Sequence, residues 1–191
     1  LITPDYNFSN YFFDCNLNDG SSLLKLESFL SGFIKNDIFQ NTSSYSLKVF
    51  FPENDIVDKF KISIKNYTSN DIFTDVINEL SQSGFDAVAS CKFNSNLFYG
   101  LSLYNYTDEQ QNTSNNVEIL RCSYKPGFNY GTFRISLDRL ISKMNQLKIQ
   151  YGIEYFQEEL NSSEFIWINY FYQEDFKNNI STQWLTDPDS T

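Results

Sequence analysis

The chain has 191 residues, 41% hydrophobic and 18% aromatic, and carries a formal charge of −10. That length can bury a core without metal or disulfide staples, and that much ring surface argues for a folded protein rather than a disordered one. With 14 basic residues against 24 acidic ones, a nucleic-acid partner is excluded and an anionic membrane surface is disfavoured, because both need Lys and Arg gathered on one face.

Residues 6–17 (YNFSNYFFDCNL) read as a first strand, and Asp19-Gly20 as the turn that ends it. Ser22 caps a helix over 23–35, with Leu23, Leu26, Leu30, Phe33 and Ile34 on one face. A polar loop, 36–44, leads to a strand at 45–51 that Pro52 ends. Residues 59–66 (KFKISIKN) give the clearest alternation in the chain. Phe60, Ile62 and Ile64 turn one way, and Lys59, Lys61, Ser63 and Lys65 the other, which is expected to be a solvated face.

Asn70 caps a helix over 71–82 with Ile72, Phe73, Val76, Ile77 and Leu80 inward, and Gly84 stops it. Strands follow at 85–93 and 97–105, joined by an Asn-Ser-Asn turn, and then at 117–125, closed by Pro126-Gly127. A third helix is expected over 136–147, capped by Ser136, with Leu137, Leu140, Ile141, Met144 and Leu147 inward. Strands at 149–156 and 164–172 complete the set, and 177–191 form a polar tail.

The order β-α-β-β-α-β through residue 93 is the split-βαβ, ferredoxin-like order. The expected fold is therefore α+β: a largely antiparallel sheet, continuous or two-part, with about three helices in a single domain over 1–176. Cys91 and Cys122 lie on apolar faces of two later strands and are the expected disulfide; Cys15 is expected at the opposite edge from Cys91.

No histidine occurs, which removes Ser-His-Asp and Cys-His nucleophile systems and imidazole metal ligands. No phosphate-binding loop, dinucleotide fingerprint or nucleophile elbow occurs either. Asp14-x-Asn16-x-Asn18 resembles a calcium loop, but Lys25 stands where the bidentate Glu belongs, so a polar turn is expected. Neither metal nor cofactor is expected. Glu154, Glu158, Glu159 and Glu164 gather around a hairpin, and Glu174 with Asp175 follows; a carboxylate-based sugar hydrolase needs only two such groups.

Seven Asn-x-Ser/Thr tripeptides, at Asn7, Asn41, Asn66, Asn105, Asn112, Asn161 and Asn179, lie outside every expected helix. Such sites are used at protein surfaces in the secretory pathway. No stretch reaches the roughly 20 apolar residues of a membrane helix. The first residue is Leu1, the expectation of a processed product or fragment. Phe165, Trp167 and Phe171 share one face of a strand that is apolar on both sides, and are candidates for a partner interface. These features together lead to the expectation of a non-enzymatic glycosylated ectodomain or lumenal subunit that binds another protein, with a glycoside hydrolase or sugar-binding module, or an intracellular scaffold, as alternatives.

Overall fold

Alternating apolar residues open the structure: in β1 (Phe8–Leu17), Phe13 and Cys15 are buried among helix side chains while Asp14 and Asn16 are exposed. The computed structural model describes residues 4–35, 45–52, 58–68, 73–93, 97–107, 116–159 and 162–172. After β1 come α1 (Leu23–Phe33), β2 (Tyr45–Phe50), β3 (Lys59–Asn66), α2 (Phe73–Gln82) and a 3-10 turn at Phe85–Ala87. Then follow β4 (Ala89–Cys91), β5 (Leu97–Tyr106), β6 (Asn116–Ser123), α3 (Tyr130–Leu147), β7 (Tyr151–Gln157) and β8 (Glu164–Phe171). The fold is α+β, with three α-helices and eight largely antiparallel strands among the described residues.

The chain divides into two compact units, Asn7–Tyr99 and Leu1–Tyr6 with Gly100–Thr191. The expected tail, 177–191, lies outside the described residues.

In the first unit β1 pairs with β3, and β3 with β2, all antiparallel. Cys15 faces both Phe60 of β3 and Cys91 of β4, so β4 lies on the other side of β1. The resulting order, β2-β3-β1-β4, is the ferredoxin-like arrangement that the sequence order implies. Ser22 accepts a hydrogen bond from the Lys25 amide at 3.3 Å and starts α1 as expected. Leu26, Leu30 and Phe33 of α1, with Val76 and Leu80 of α2, pack on Phe13, Phe60, Ile62 and Ile64. Gly84 ends the second helical segment in the left-handed conformation, φ 91°. Asn70 and Ile72 fall outside the described residues.

The lysine face of β3 departs from expectation. Lys65 is only 2% exposed and Ser63 is likewise buried. Lys61 pairs with Asp14 across the strands. Alternation identified the two faces, but it does not say that the polar one is open to water.

In the second unit β8 lies between β6 and β7, antiparallel to both, and the order is β5-β7-β8-β6. The segment β6-α3-β7 is thus another split βαβ with β8 inserted. Helix α3 begins at Tyr130, six residues before the expected start, so Ser136 lies inside it. Its cap is Asn129, whose side chain accepts from the Thr132 amide while the Thr132 hydroxyl accepts from the Asn129 amide. Leu137 and Met144 face Leu101, Leu103, Ile153 and Tyr155 in the core of this unit. No helix among the described residues is long and apolar enough to cross a membrane.

Candidate functional site

The disulfide joins Cys15 to Cys91, with Cα atoms 4.1 Å apart, and Cys122 is free. This corrects the expected Cys91–Cys122 bridge. The expectation took residues 85–93 as one long strand, with Cys91 near its far end. In the structure 85–87 form the 3-10 turn, so the paired strand starts at Ala89 and its end meets Cys15 directly. Burial pushes the Cys122 thiol up, away from the thiolate form.

The calcium-like loop serves the first unit's own framework. Asn18 Nδ2 donates to the Asp86 carbonyl at 2.7 Å, its Oδ1 accepts from Ser90 Oγ at 3.1 Å, and Lys25 Nζ donates to the Gly20 carbonyl at 2.8 Å. No group of three or more His, Cys, Asp or Glu side chains among the described residues is arranged to hold a metal ion.

The sequons divide. Asn7 and Asn105 are exposed. Asn66, the last residue of β3, is 9% exposed, and its Oδ1 accepts from both the amide and the hydroxyl of Thr68. Asn41, Asn112, Asn161 and Asn179 lie outside the described residues.

Of the candidate carboxylates, Glu154 and Glu164 lie far apart. Glu154 is buried on β7 and its Oε2 accepts from the Tyr170 hydroxyl at 2.6 Å. Register puts Glu154 opposite Ile168, and Glu164 is four residues further along β8. At about 3.3 Å per residue, some 13 Å of strand separates them, outside the 5–10 Å that a glycosidase pair requires. Glu158 and Glu159 are exposed at the hairpin end; Glu174 and Asp175 lie outside the described residues.

The interface candidates are already engaged. The Phe165 and Trp167 rings lie 5.9 and 5.8 Å from that of Phe133 on α3, and Phe165 also meets Tyr124 and Tyr155. Phe171 packs on Tyr151. Helix α3 therefore covers the first two.

Sequence reasoning missed a cluster of four tyrosines in the same layer, because its members stand at positions 6, 124, 130 and 155. The Tyr124 and Tyr155 hydroxyls share a hydrogen bond at 2.8 Å, and Tyr6 donates to Gln157 Oε1 at 2.5 Å. Arg134 Nη1 donates to the Tyr130 hydroxyl at 3.2 Å and its Nε to Asp138 at 2.6 Å. Burial, reinforced by the neighbouring phenols, holds the hydroxyls of Tyr6 and Tyr155 well above the usual tyrosine range. These groups stay neutral at physiological pH and act as hydrogen-bonding groups in an aromatic layer.

What this unit leaves open is the edge of its sheet. Among the described residues β6 pairs on one side only, with β8. Ile119 and Leu120, adjacent on β6 and so on opposite faces, are 37% and 40% exposed. An exposed edge of this kind offers unpaired backbone groups and apolar side chains together.

No protein-family model matches the sequence, and no curated protein matches it. Solved structures do share the fold. A candidate chlorite dismutase superimposes with a TM-score of 0.53 at 9% identity, over 92% of this chain and 84% of that one. A mutant of chlorite dismutase from Candidatus Nitrospira defluvii gives 0.53 at 8% identity, over 97% and 85%. At such identity the likeness establishes the fold alone. It nevertheless overturns the expectation that the chain is not an enzyme: this is a fold on which enzymes are built. The motifs whose absence supported that expectation belong to other architectures, and lacking them excludes little.

Proposed function

We propose that the chain is a disulfide-bonded glycoprotein of the secretory pathway, lumenal, cell-surface or secreted, that works by binding another protein along β6. The observation that carries this reading is the open β6 edge, with Ile119 and Leu120 exposed on its two faces. A partner strand laid against β6 would satisfy its backbone and cover both side chains. The Cys15–Cys91 bridge supports an oxidising compartment, and exposed Asn7 and Asn105 are acceptors a transferase can reach.

Protein from its native source decides both halves. Endoglycosidase treatment should lower its mass, with peptides around Asn7 and Asn105 converted; an unchanged mass defeats the compartment. In gentle extracts it should elute well above its 22.4 kDa chain mass, and Leu120→Lys should return it to monomer size. Elution as a glycosylated monomer before the substitution defeats partner binding.

A further inference from the structure

Tyr172 stands immediately after β8, and its side chain crosses the neighbouring strand. The strand order here is β5-β7-β8. A Cβ at Gly152 of β7 would come within 2.6 Å of the Tyr172 hydroxyl and 3.2 Å of its Cζ, so the phenol occupies the space that a glycine leaves. The hydroxyl reaches beyond β7 to Asn105 of β5 and donates to its Oδ1 at 2.6 Å.

This bond fixes the orientation of the Asn105 amide. Asn105 is exposed, its Oδ1 is held by Tyr172, and its Nδ2 has no hydrogen-bond partner among the described residues. Nδ2 is the atom to which an oligosaccharide is joined, and Asn105-Tyr106-Thr107 is an acceptor tripeptide.

A glycosylated asparagine is a secondary amide, planar and trans like the peptide bond. The anomeric carbon of the first sugar then lies trans to Cβ, on the same side as Oδ1. Tyr172 holds that oxygen, so the sugar enters beside the phenol. The ring is half-buried and backed by Tyr170, with centroids 6.5 Å apart and planes 21° from parallel. Its open side offers dispersion contacts to the C–H groups of a sugar.

We propose that Asn105 carries an N-linked glycan whose first N-acetylglucosamine packs on Tyr172 and ties β5 to the end of β8. The transfer forms the Nδ2–C1 bond, breaks the C1–O bond to a lipid diphosphate donor, and releases that diphosphate with the displaced amide proton. This contact rests on the secretory-pathway reading and does not depend on partner binding along β6.

The full chain, secreted from a glycosylating cell behind an added leader, tests this contact whatever the native compartment. Peptide mapping should find sugar on Asn105. The comparison is with Thr107→Ala, which abolishes the acceptor tripeptide but keeps Asn105 and its bond to Tyr172. Both are trimmed with an endoglycosidase that leaves one N-acetylglucosamine, and the same two chains made without sugar correct for the threonine itself. The sugar at Asn105 should raise the melting temperature by about 2–4 °C. On a Tyr172→Ala background the rise should vanish. Tyr172→Phe, which keeps the ring, serves if Tyr172→Ala fails to fold, and should cut the rise by at least about half. An unoccupied Asn105, no rise from its sugar, or an undiminished rise without the Tyr172 hydroxyl would each overturn the proposal. Whether the native chain meets the transferase is decided separately, by its mass shift on endoglycosidase treatment.

Discussion

Tyr170 donates its hydroxyl proton to Glu154 Oε2 at 2.6 Å, and both residues are buried. They share the face of the second unit's sheet that α3 does not cover, since Tyr170 pairs with Gly152 and Glu154 with Ile168. A hydrogen bond to a charged group contributes about 1.5–3 kcal/mol. Tyr170→Phe, which keeps the ring, should lower unfolding free energy by about that amount, read as a shift of the urea midpoint with an unchanged slope.

Gly152 sits beside this pair for a steric reason. A Cβ at position 152 would come within 2.6 Å of the Tyr172 hydroxyl and 3.1 Å of Tyr170 Cβ. The Tyr172 hydroxyl also donates to Asn105 Oδ1 at 2.6 Å. Gly152→Ala must displace that ring and break its bond, at a cost of about 1–3 kcal/mol. Pairing it with Tyr172→Phe, which removes the clashing oxygen, should recover part of the loss in a double-mutant cycle.

Cys15 and Cys91 are 76 residues apart in sequence, so their bridge closes a long loop in the unfolded chain. Loops of that length give about 4 kcal/mol of stabilisation in the chain-entropy account. Reduction, or Cys15→Ser with Cys91→Ser, should lower the urea midpoint substantially. Cys122→Ser should leave it nearly unchanged, and mapping the oxidised chain should return a Cys15–Cys91 peptide.

Alkali should unfold the second unit. Burial, with Glu154 nearby, pushes the Tyr172 phenol up to about 12, and burial raises Tyr6, Tyr151 and Tyr155 further. A phenol whose folded pKa lies above its unfolded value of about 10 favours the folded state fully below pH 10. That contribution is lost as pH climbs from 10 toward 12 and beyond. Absorbance at 295 nm should show a fraction of the tyrosines ionising late and together, coincident with loss of near-ultraviolet circular dichroism.

Much of the first unit was legible because local signals agreed with tertiary packing. The Ser22 cap, the alternation in 59–66 and the Gly84 stop all name elements that the structure contains. The start of α3 was hidden because Gly131 and Thr132 are poor helix formers; the Asn129-x-x-Thr132 box was the available signal. Phe133, in that hidden first turn, is the ring that meets Phe165 and Trp167. The cysteine pairing depended on where β4 begins, which register decides and periodicity does not. The tyrosine cluster depends on long-range pairing and has no local signature.

Asn66 is locked between two neighbours, paired with Ser9 of β1 and Tyr45 of β2 at the end of β3. An oligosaccharide could reach it only on a chain whose central strand has not yet zipped into place, whereas Asn7 and Asn105 remain open afterwards. In a cell that glycosylates this chain, the ratio of sugar at Asn66 to sugar at Asn7 becomes a clock. It records how long the nascent first unit waits before folding.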